Sequence, residues 1–323
     1  MIGSSKAFLD LKLSLARIAA SDCTVLLTGE TGTGKELAAE FVHANSARRG
    51  RPFVCINCAA IPDGLLENEL FGHSRGSFTG ADASCDGLLA AANGGTVFLD
   101  EVGDMSPSAQ AKVLRVIEKK EVYRIGATRP TRLDVRFVAA TNQQLESKAA
   151  QGEFRKDLFF RLSVVHVHLP ALRERKEDLP LLLNHYCREF CPLPAARPIE
   201  FSDRSLRLLL RYDWPGNVRE LRNLAESLSI AEIGGLVEPA HLPLRFQSAD
   251  QSRPGTAAEL ERQTLISALS CSGGNKAAAA RRLNWSRMTL YRKLNKHRLH
   301  AGRDAKLGRN NVVTRVTAGA TLS

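Results

Sequence analysis

"TVLLTGETGTGKELAAE", Thr24 to Glu40, decides the fold. A short β-branched and apolar run enters a glycine-rich loop, and the loop opens into residues with helical spacing. Strand, loop, helix is the context that a phosphate-binding loop requires. Glycines let the chain curl until its N–H groups face the phosphates, the helix N-terminus favours negative charge, and a lysine reaches the β- and γ-phosphates. The candidate contacts are Gly29, Glu30, Thr31, Gly32, Thr33, Gly34, Lys35 and Glu36. The generic loop ends in Lys-Ser/Thr, whereas here Glu36 stands where a hydroxyl would help hold Mg2+.

Further apolar runs recur at 53–57, 96–100, 135–141 and 164–169, and most are separated by segments with helical spacing. That alternation predicts an α/β domain on a mostly parallel sheet. "TVFLDE" (96–101) reads as a buried strand that delivers two carboxylates to its C-terminal edge, where sites of open α/β sheets form. Asp100 is the candidate Mg2+ ligand, directly or through water, and Glu101 the group that polarises the attacking water. Asn57 ends a second strand, and Thr141 and Asn142 end a third, where a polar side chain senses the γ-phosphate. Arg155 and Arg161, in "FRKDLFFRL", are either surface charges or fingers that stabilise transition-state charge in a neighbouring subunit.

The chain has 323 residues, enough for one large domain and a small one, and no apolar run approaches the ~20 residues that span a bilayer. The N-terminus lacks the continuous apolar stretch of a signal peptide, so a cytoplasmic protein is expected. Seven scattered cysteines suggest reduced thiols, with Cys55 and Cys58 read as small buried side chains and "HVH" (166–168) as part of an apolar strand. From Thr256 onward lie 13 of the 45 Lys and Arg but only 3 of the 34 Asp and Glu, a net of +10 against +1 for everything before it. A neutral body with a basic end points to a polyanionic partner, nucleic acid first. After residue 178 strands are expected to give way to helices, and "QSADQSRPGT" reads as a linker.

"ELFGHSRGSFTGAD" (69–82) has neither helical nor strand period and holds Phe78 and Thr79 between glycines. With "GETGTGKE", "NCAA", "GGTVFLDEVGD", "AATN", "FRKDLFFRLSVVHVHLPALRERKED" and "WPGNVRELRN" in this order, the chain resembles the sigma-54-dependent transcriptional activators of the AAA+ ATPases. Glu36 is what that family carries after its lysine. The resemblance implies ATP and Mg2+, a hexameric ring, and sigma-54 with RNA polymerase as partners. It assigns Gly76, Ser77, Phe78, Thr79, Gly80 and Ala81 to a loop that contacts sigma-54, with Ser77 where the family usually has alanine. It further makes Asn57 a switch for Glu101, Thr141 and Asn142 the first sensor, Arg219 a second sensor from a helical lid, and Arg155 and Arg161 trans-acting fingers.

"LERQTLISALSCSGGNKAAAARRLNWSRMTLYRKLNKH" (260–297) reads as three helices, with Ser286 as N-cap of the third and Leu290 and Leu294 pointing inward. Its helix-turn-helix geometry resembles the Fis-type domain, so double-stranded DNA is the expected partner, bound by dimers at upstream sites. Arg287 and Thr289 are candidate base readers, Lys276, Arg282 and Lys296 phosphate contacts, and Arg292 and Lys293 outward-facing on the same helix. The expected divisions are 1–170 (nucleotide-binding α/β), 171–245 (helical lid), 246–257 (linker), 258–300 (helix-turn-helix) and 301–323 (disordered tail). A replication or unfolding ATPase has no reason for the loop or the basic end, and a DNA-binding regulator with a decayed site has no reason to keep the lysine, carboxylates and arginines. Family members usually carry an N-terminal sensor domain; here the expectation is control in trans by a regulatory protein, or a chain that is a fragment.

Overall fold

The computed structural model describes residues 1–61, 63–77, 82–190, 199–231 and 235–247, together with Leu265, Lys276, Leu290, Lys293 and Leu294. Two compact units emerge, Met1–Ala249 and Asp250–Ser323. The first is built on five parallel strands: β1 (Val25–Thr28), β2 (Phe53–Asn57), β3 (Thr96–Asp100), β4 (Arg136–Thr141) and β5 (Val165–His168). Their order across the sheet is β2-β3-β4-β1-β5. Register brings the strand ends together, since Thr28 pairs with both Thr141 and His168, and Asn57 pairs with Asp100. The polar residues that end the apolar runs therefore line one edge of the sheet.

Alternation along the strands explains the covering layers. Leu26, Val97, Leu99, Phe137 and Ala139 enter one apolar cluster, while Val25, Leu27, Phe98, Val138 and Ala140 enter another on the opposite face. Helices α1 (Lys6–Ala19) and α2 (Lys35–Ala44) cover the second face; α3 (Asp63–Phe71), α4 (Pro107–Lys119) and α5 (Lys156–Leu162) cover the first. Ser5 accepts from the Phe8 N–H as N-cap of α1, and Ser106 with Pro107 starts α4 in the same way. The buried Arg136 guanidinium donates to the Ile18, Ala19 and Cys23 carbonyls, satisfying the C-terminal end of α1.

Beyond β5 a lid is made of α6 (Leu179–Phe190), α7 (Asp203–Arg211) and α8 (Asn217–Ile230) around Leu183, Leu209, Trp214, Leu221 and Leu224. Two expectations change here. Strands do not stop after residue 178, because Glu200–Phe201 and Leu236–Val237 pair in parallel and brace the lid. The lid also extends to Gln247: Phe246 is fully buried, 4.7 Å from the Tyr212 ring and 5.3 Å from that of Trp214. The expected linker from 246 therefore begins later.

Because β2 and β5 lie at the sheet edges, Cys55, His166 and His168 are exposed, which corrects the reading of Cys55 as buried. Cys58 is buried as expected. Burial pushes the Cys58 thiol to about 12; the Cys55 thiol, exposed at the strand edge but partly desolvated and close to the Glu36, Asp100 and Glu40 charges, is raised to about 11, so both stay protonated. The two histidines bond to Thr28 Oγ1, and no group of three metal-ligating side chains occurs among the described residues. No helix among them is long and apolar enough to cross a membrane.

In the second unit Leu265, Leu290 and Leu294 are buried, as the helical spacing requires. The tail from 301 lies outside the described residues.

Candidate nucleotide site

Between β1 and α2 the loop carries Gly32 and Gly34 at φ +80 and +99, conformations that side chains resist. Gly34 is the N-cap of α2, so the helix's first N–H groups open onto the loop. Lys35, 7% exposed, folds back inside the curl and donates to the Gly29 carbonyl at 3.0 Å. Its ammonium also lies 3.5 Å from Glu101 Oε1.

Glu101 is strained and doubly held. Its backbone is left-handed (φ 51°, ψ 50°), which for a non-glycine costs about 1–3 kcal/mol and is a feature of functional sites. Its second carboxylate oxygen accepts the Asn142 N–H at 3.0 Å, and the Asn142 amide donates to Thr31 Oγ1 at 3.0 Å. Asp100 accepts the Glu101 N–H at 3.1 Å, and burial, then the neighbouring Glu101 charge, raise its pKa above the usual carboxylate value.

The remaining expected residues divide. Thr141 is fully buried and accepts from the Gln143 N–H, so of the pair only Asn142 faces the site. Asn57 reaches the same edge, but its Oδ1 accepts from the Ala59 and Ala60 N–H groups rather than engaging Glu101. Thr31, Gly32, Gly34, Lys35, Glu36, Asn57, Asp100, Glu101 and, from the lid, Arg219 line a cleft of about 430 Å³. A second chamber of about 310 Å³ shares Gly34, Leu37, Tyr186, Val218 and Arg222 with it and adds Ile2, Phe8 and Leu182. A polar trough thus continues into a partly apolar chamber, the shape a nucleotide requires.

Arg155 and Arg161 do not line the cleft. They are exposed, and pair with Asp157 at 2.7 Å and Glu118 at 3.1 Å beside the exposed Phe160.

The contact-loop residues Phe78, Thr79, Gly80 and Ala81 lie outside the described residues. Its base is described: Gly72–His73 pairs antiparallel with Cys85–Asp86, and Ile125 exchanges backbone bonds with Gly72 and Ser74. Gly76 sits at φ +75 with nothing within 4 Å of where a Cβ would lie. The Ser77 hydroxyl is buried with no hydrogen-bond partner. Of the DNA candidates, Lys276 and Lys293 are partly buried, so Lys293 is less outward than its spacing suggested. Arg282, Ser286, Arg287, Thr289, Arg292 and Lys296 lie outside the described residues.

Sequence reasoning missed how the lid grips the loop. Arg173 makes a two-pronged ion pair with Glu30 at 2.5 and 2.8 Å, and Asn217 adds a hydrogen bond at 3.1 Å. Arg173 first and Asn217 second hold the Glu30 carboxyl at about 2. Asp178, fully buried, accepts from Ser4 N, Ser5 N and Ser5 Oγ and so ties the N-terminal segment to the start of the lid. These pairs lie more than 140 residues apart, and no local pattern signals them.

Comparison with known proteins adds the following. Residues 1–168 match the Sigma-54 interaction domain, 173–259 the AAA+ ATPase lid domain, and 256–297 the bacterial regulatory protein, Fis family. The transcriptional regulatory protein ZraR of Salmonella typhimurium is 44% identical over 92% of this chain and 68% of its own length. DNA-binding transcriptional regulator NtrC of the same organism is 42% identical over 91% of this chain and 69% of its own. The crystal structure of Brucella abortus NtrX in complex with ATP is similar at 34% identity and a TM-score of 0.72, covering 93% of this chain and 70% of that one.

Proposed function

The chain belongs to the sigma-54-dependent transcriptional activators, and on that premise we propose that it is an ATP-hydrolysing activator that binds upstream double-stranded DNA and remodels the sigma-54 RNA polymerase closed complex until the promoter opens. The observation that carries the reading is a single cleft in which Lys35 meets Glu101, with Asp100 beside it and Asn142 opposite.

In this reading the polyphosphate of ATP lies along the N–H groups of the loop, with its base in the chamber between Ile2, Leu37 and Tyr186. Lys35 then turns from Glu101 to the phosphates, and Glu101, freed of its counter-charge, orients the attacking water. Asn142 faces the γ-phosphate and Arg219 approaches from the lid. The donor set suits a magnesium ion: burial, and then the adjacent Glu101 charge, raise the Asp100 pKa, and a dication would favour the charged form. Asp100 would hold it, directly or through water, and the ion would supply neutralisation of phosphate charge.

Arg155 and Arg161, exposed and outside their own cleft, act on a neighbour's site in a hexameric ring. The loop from Gly76 to Ala81 delivers the motion to sigma-54. Dimers of the Fis-type domain hold the ring near its promoter, with Arg287 and Thr289 reading bases. A cytoplasmic setting follows from these partners, and a regulatory protein acting in trans is the proposed source of control.

Nucleotide binding and turnover test the reading. Lys35→Ala should abolish ATP binding, whereas Glu101→Gln should bind ATP and lose about 10²–10⁴ in turnover, the range for a removed general base. Full turnover by Glu101→Gln would refute the assignment.

A further inference from the structure

Asn217 opens α8 in the left-handed region at φ +50, is fully buried, and its side chain joins the start of the lid to the phosphate loop. Its Oδ1 accepts the Leu172 N–H at 2.8 Å, while its Nδ2 donates to the Thr31 carbonyl at 3.1 Å and to Glu30 Oε2 at 3.1 Å. Asparagine is suited to all of this, tolerating the left-handed backbone while offering both an acceptor and donors. Around it two more loop carbonyls are taken from the same side. The Val218 N–H donates to Gly32 O at 3.0 Å, and Arg175 Nη2 donates to Thr33 O at 3.2 Å. Contact is close enough that a Cβ on Gly32 would sit 2.3 Å from the Gly216 carbonyl.

In a planar trans peptide the carbonyl of one residue and the N–H of the next point opposite ways. Pulling the Thr31 and Thr33 carbonyls towards the lid therefore turns the N–H groups of Gly32 and Gly34 the other way, and both glycines line the cleft.

We propose that Asn217 is a positioning residue for nucleotide binding and turnover: it fastens the outer face of the phosphate loop to the lid, so that the loop presents its N–H groups only while the lid is seated. This rests on the ATPase reading above. Glu30 and Arg173 form the charged half of the fastening, and Asn217 the neutral half that also reaches the backbone.

The test uses the full chain with Asn217→Asp, Asn217→Gly, Glu30→Gln and the double variant Asn217→Asp/Glu30→Gln. The readouts are affinity for a fluorescent ATP analogue, kcat and KM for ATP, and the thermal midpoint without nucleotide. Asp at 217 keeps the left-handed backbone and the acceptor but sets a carboxylate against Glu30 Oε2 and Thr31 O. Its ATP affinity is expected to fall about 10- to 100-fold, the range of lost hydrogen bonds to charged partners. Glu30→Gln removes the opposing charge and offers an amide donor, so the double variant should bind ATP more tightly than Asn217→Asp; Glu30→Gln alone gives up one prong of the Arg173 pair and serves as the reference for that comparison. Asn217→Gly preserves the backbone and deletes only the side chain, so it decides the question if Asn217→Asp does not fold; it should weaken ATP binding about tenfold. A purely structural role would lower the thermal midpoint and leave the affinity of folded protein unchanged. Affinity and kcat within about twofold of wild type in both Asn217→Asp and Asn217→Gly, set against the tenfold expected of a lost bond, overturn the proposal while the ATPase reading stands. So does a double variant no better than Asn217→Asp. A wild-type chain that binds no ATP overturns both.

Discussion

Asp178→Ala tests whether the nucleotide chamber depends on the tie between the chain's start and its lid. The carboxylate is fully buried and accepts Ser4 N at 2.6 Å, Ser5 N at 2.7 Å and Ser5 Oγ at 2.8 Å. Truncation leaves three donors without their acceptor, and each such donor costs about 1–3 kcal/mol. The three share one acceptor and do not add independently, so a total of about 3–5 kcal/mol is expected. At roughly 2–4 °C per kcal/mol for a unit of this size, the thermal midpoint should fall by about 6–20 °C. Met1, Ile2 and Phe8 line the chamber, so KM for ATP should rise along with the loss of stability. Asp178→Asn keeps the oxygen that serves both backbone N–H groups and should lose less than half as much. Differential scanning fluorimetry with steady-state kinetics measures both effects. A fall of under about 2 °C for Asp178→Ala, less than one stranded donor would produce, refutes the reasoning.

Two further outcomes follow from the site's electrostatics and its outward-facing arginines. The folded-state pKa of Asp100 lies above the ordinary 3.8, so its charged form disfavours folding at neutral pH, and protonation relieves that cost as pH falls through the folded value. Asp100→Asn should therefore raise the thermal midpoint of nucleotide-free protein at pH 7 while abolishing hydrolysis, and the advantage should shrink on acidification; a variant less stable than wild type at pH 7 contradicts this. Arg161→Ala and Glu101→Gln should each be inactive alone, yet mixed protomers should recover part of the ATPase, because some interfaces then pair an intact Arg161 with an intact Glu101. No recovery at any mixing ratio counts against fingers acting in trans.

What the sequence disclosed and what it hid divide along physical lines. Strands of five residues whose alternate side chains enter opposite cores, such as Val97, Phe98 and Leu99, carry their pattern in the chain itself. So does a glycine loop whose bend any lysine-bearing phosphate site requires. Edge position is another matter: "FVCIN" reads as a buried strand, and only the sheet order leaves Cys55 in solvent. The two-residue strands at 200–201 and 236–237 are too short to show any period. Phe246 looks like the start of a linker because the Tyr212 and Trp214 rings that bury it lie more than 30 residues earlier. Asn217 is hidden for the same reason, since "WPGN" announces a turn but not the loop it seizes. The left-handed Glu101 follows from how β3 meets the cleft, and nothing in "LDEV" forecasts it.

Promoter opening measures the central claim directly. On a sigma-54 promoter with purified polymerase, ATP and the full chain, open complexes are scored by their resistance to a competitor. Thr79→Ala is expected to keep substantial ATP hydrolysis and open no promoter, separating the motor from its grip. Promoters opened by Thr79→Ala as readily as by wild type would contradict the account.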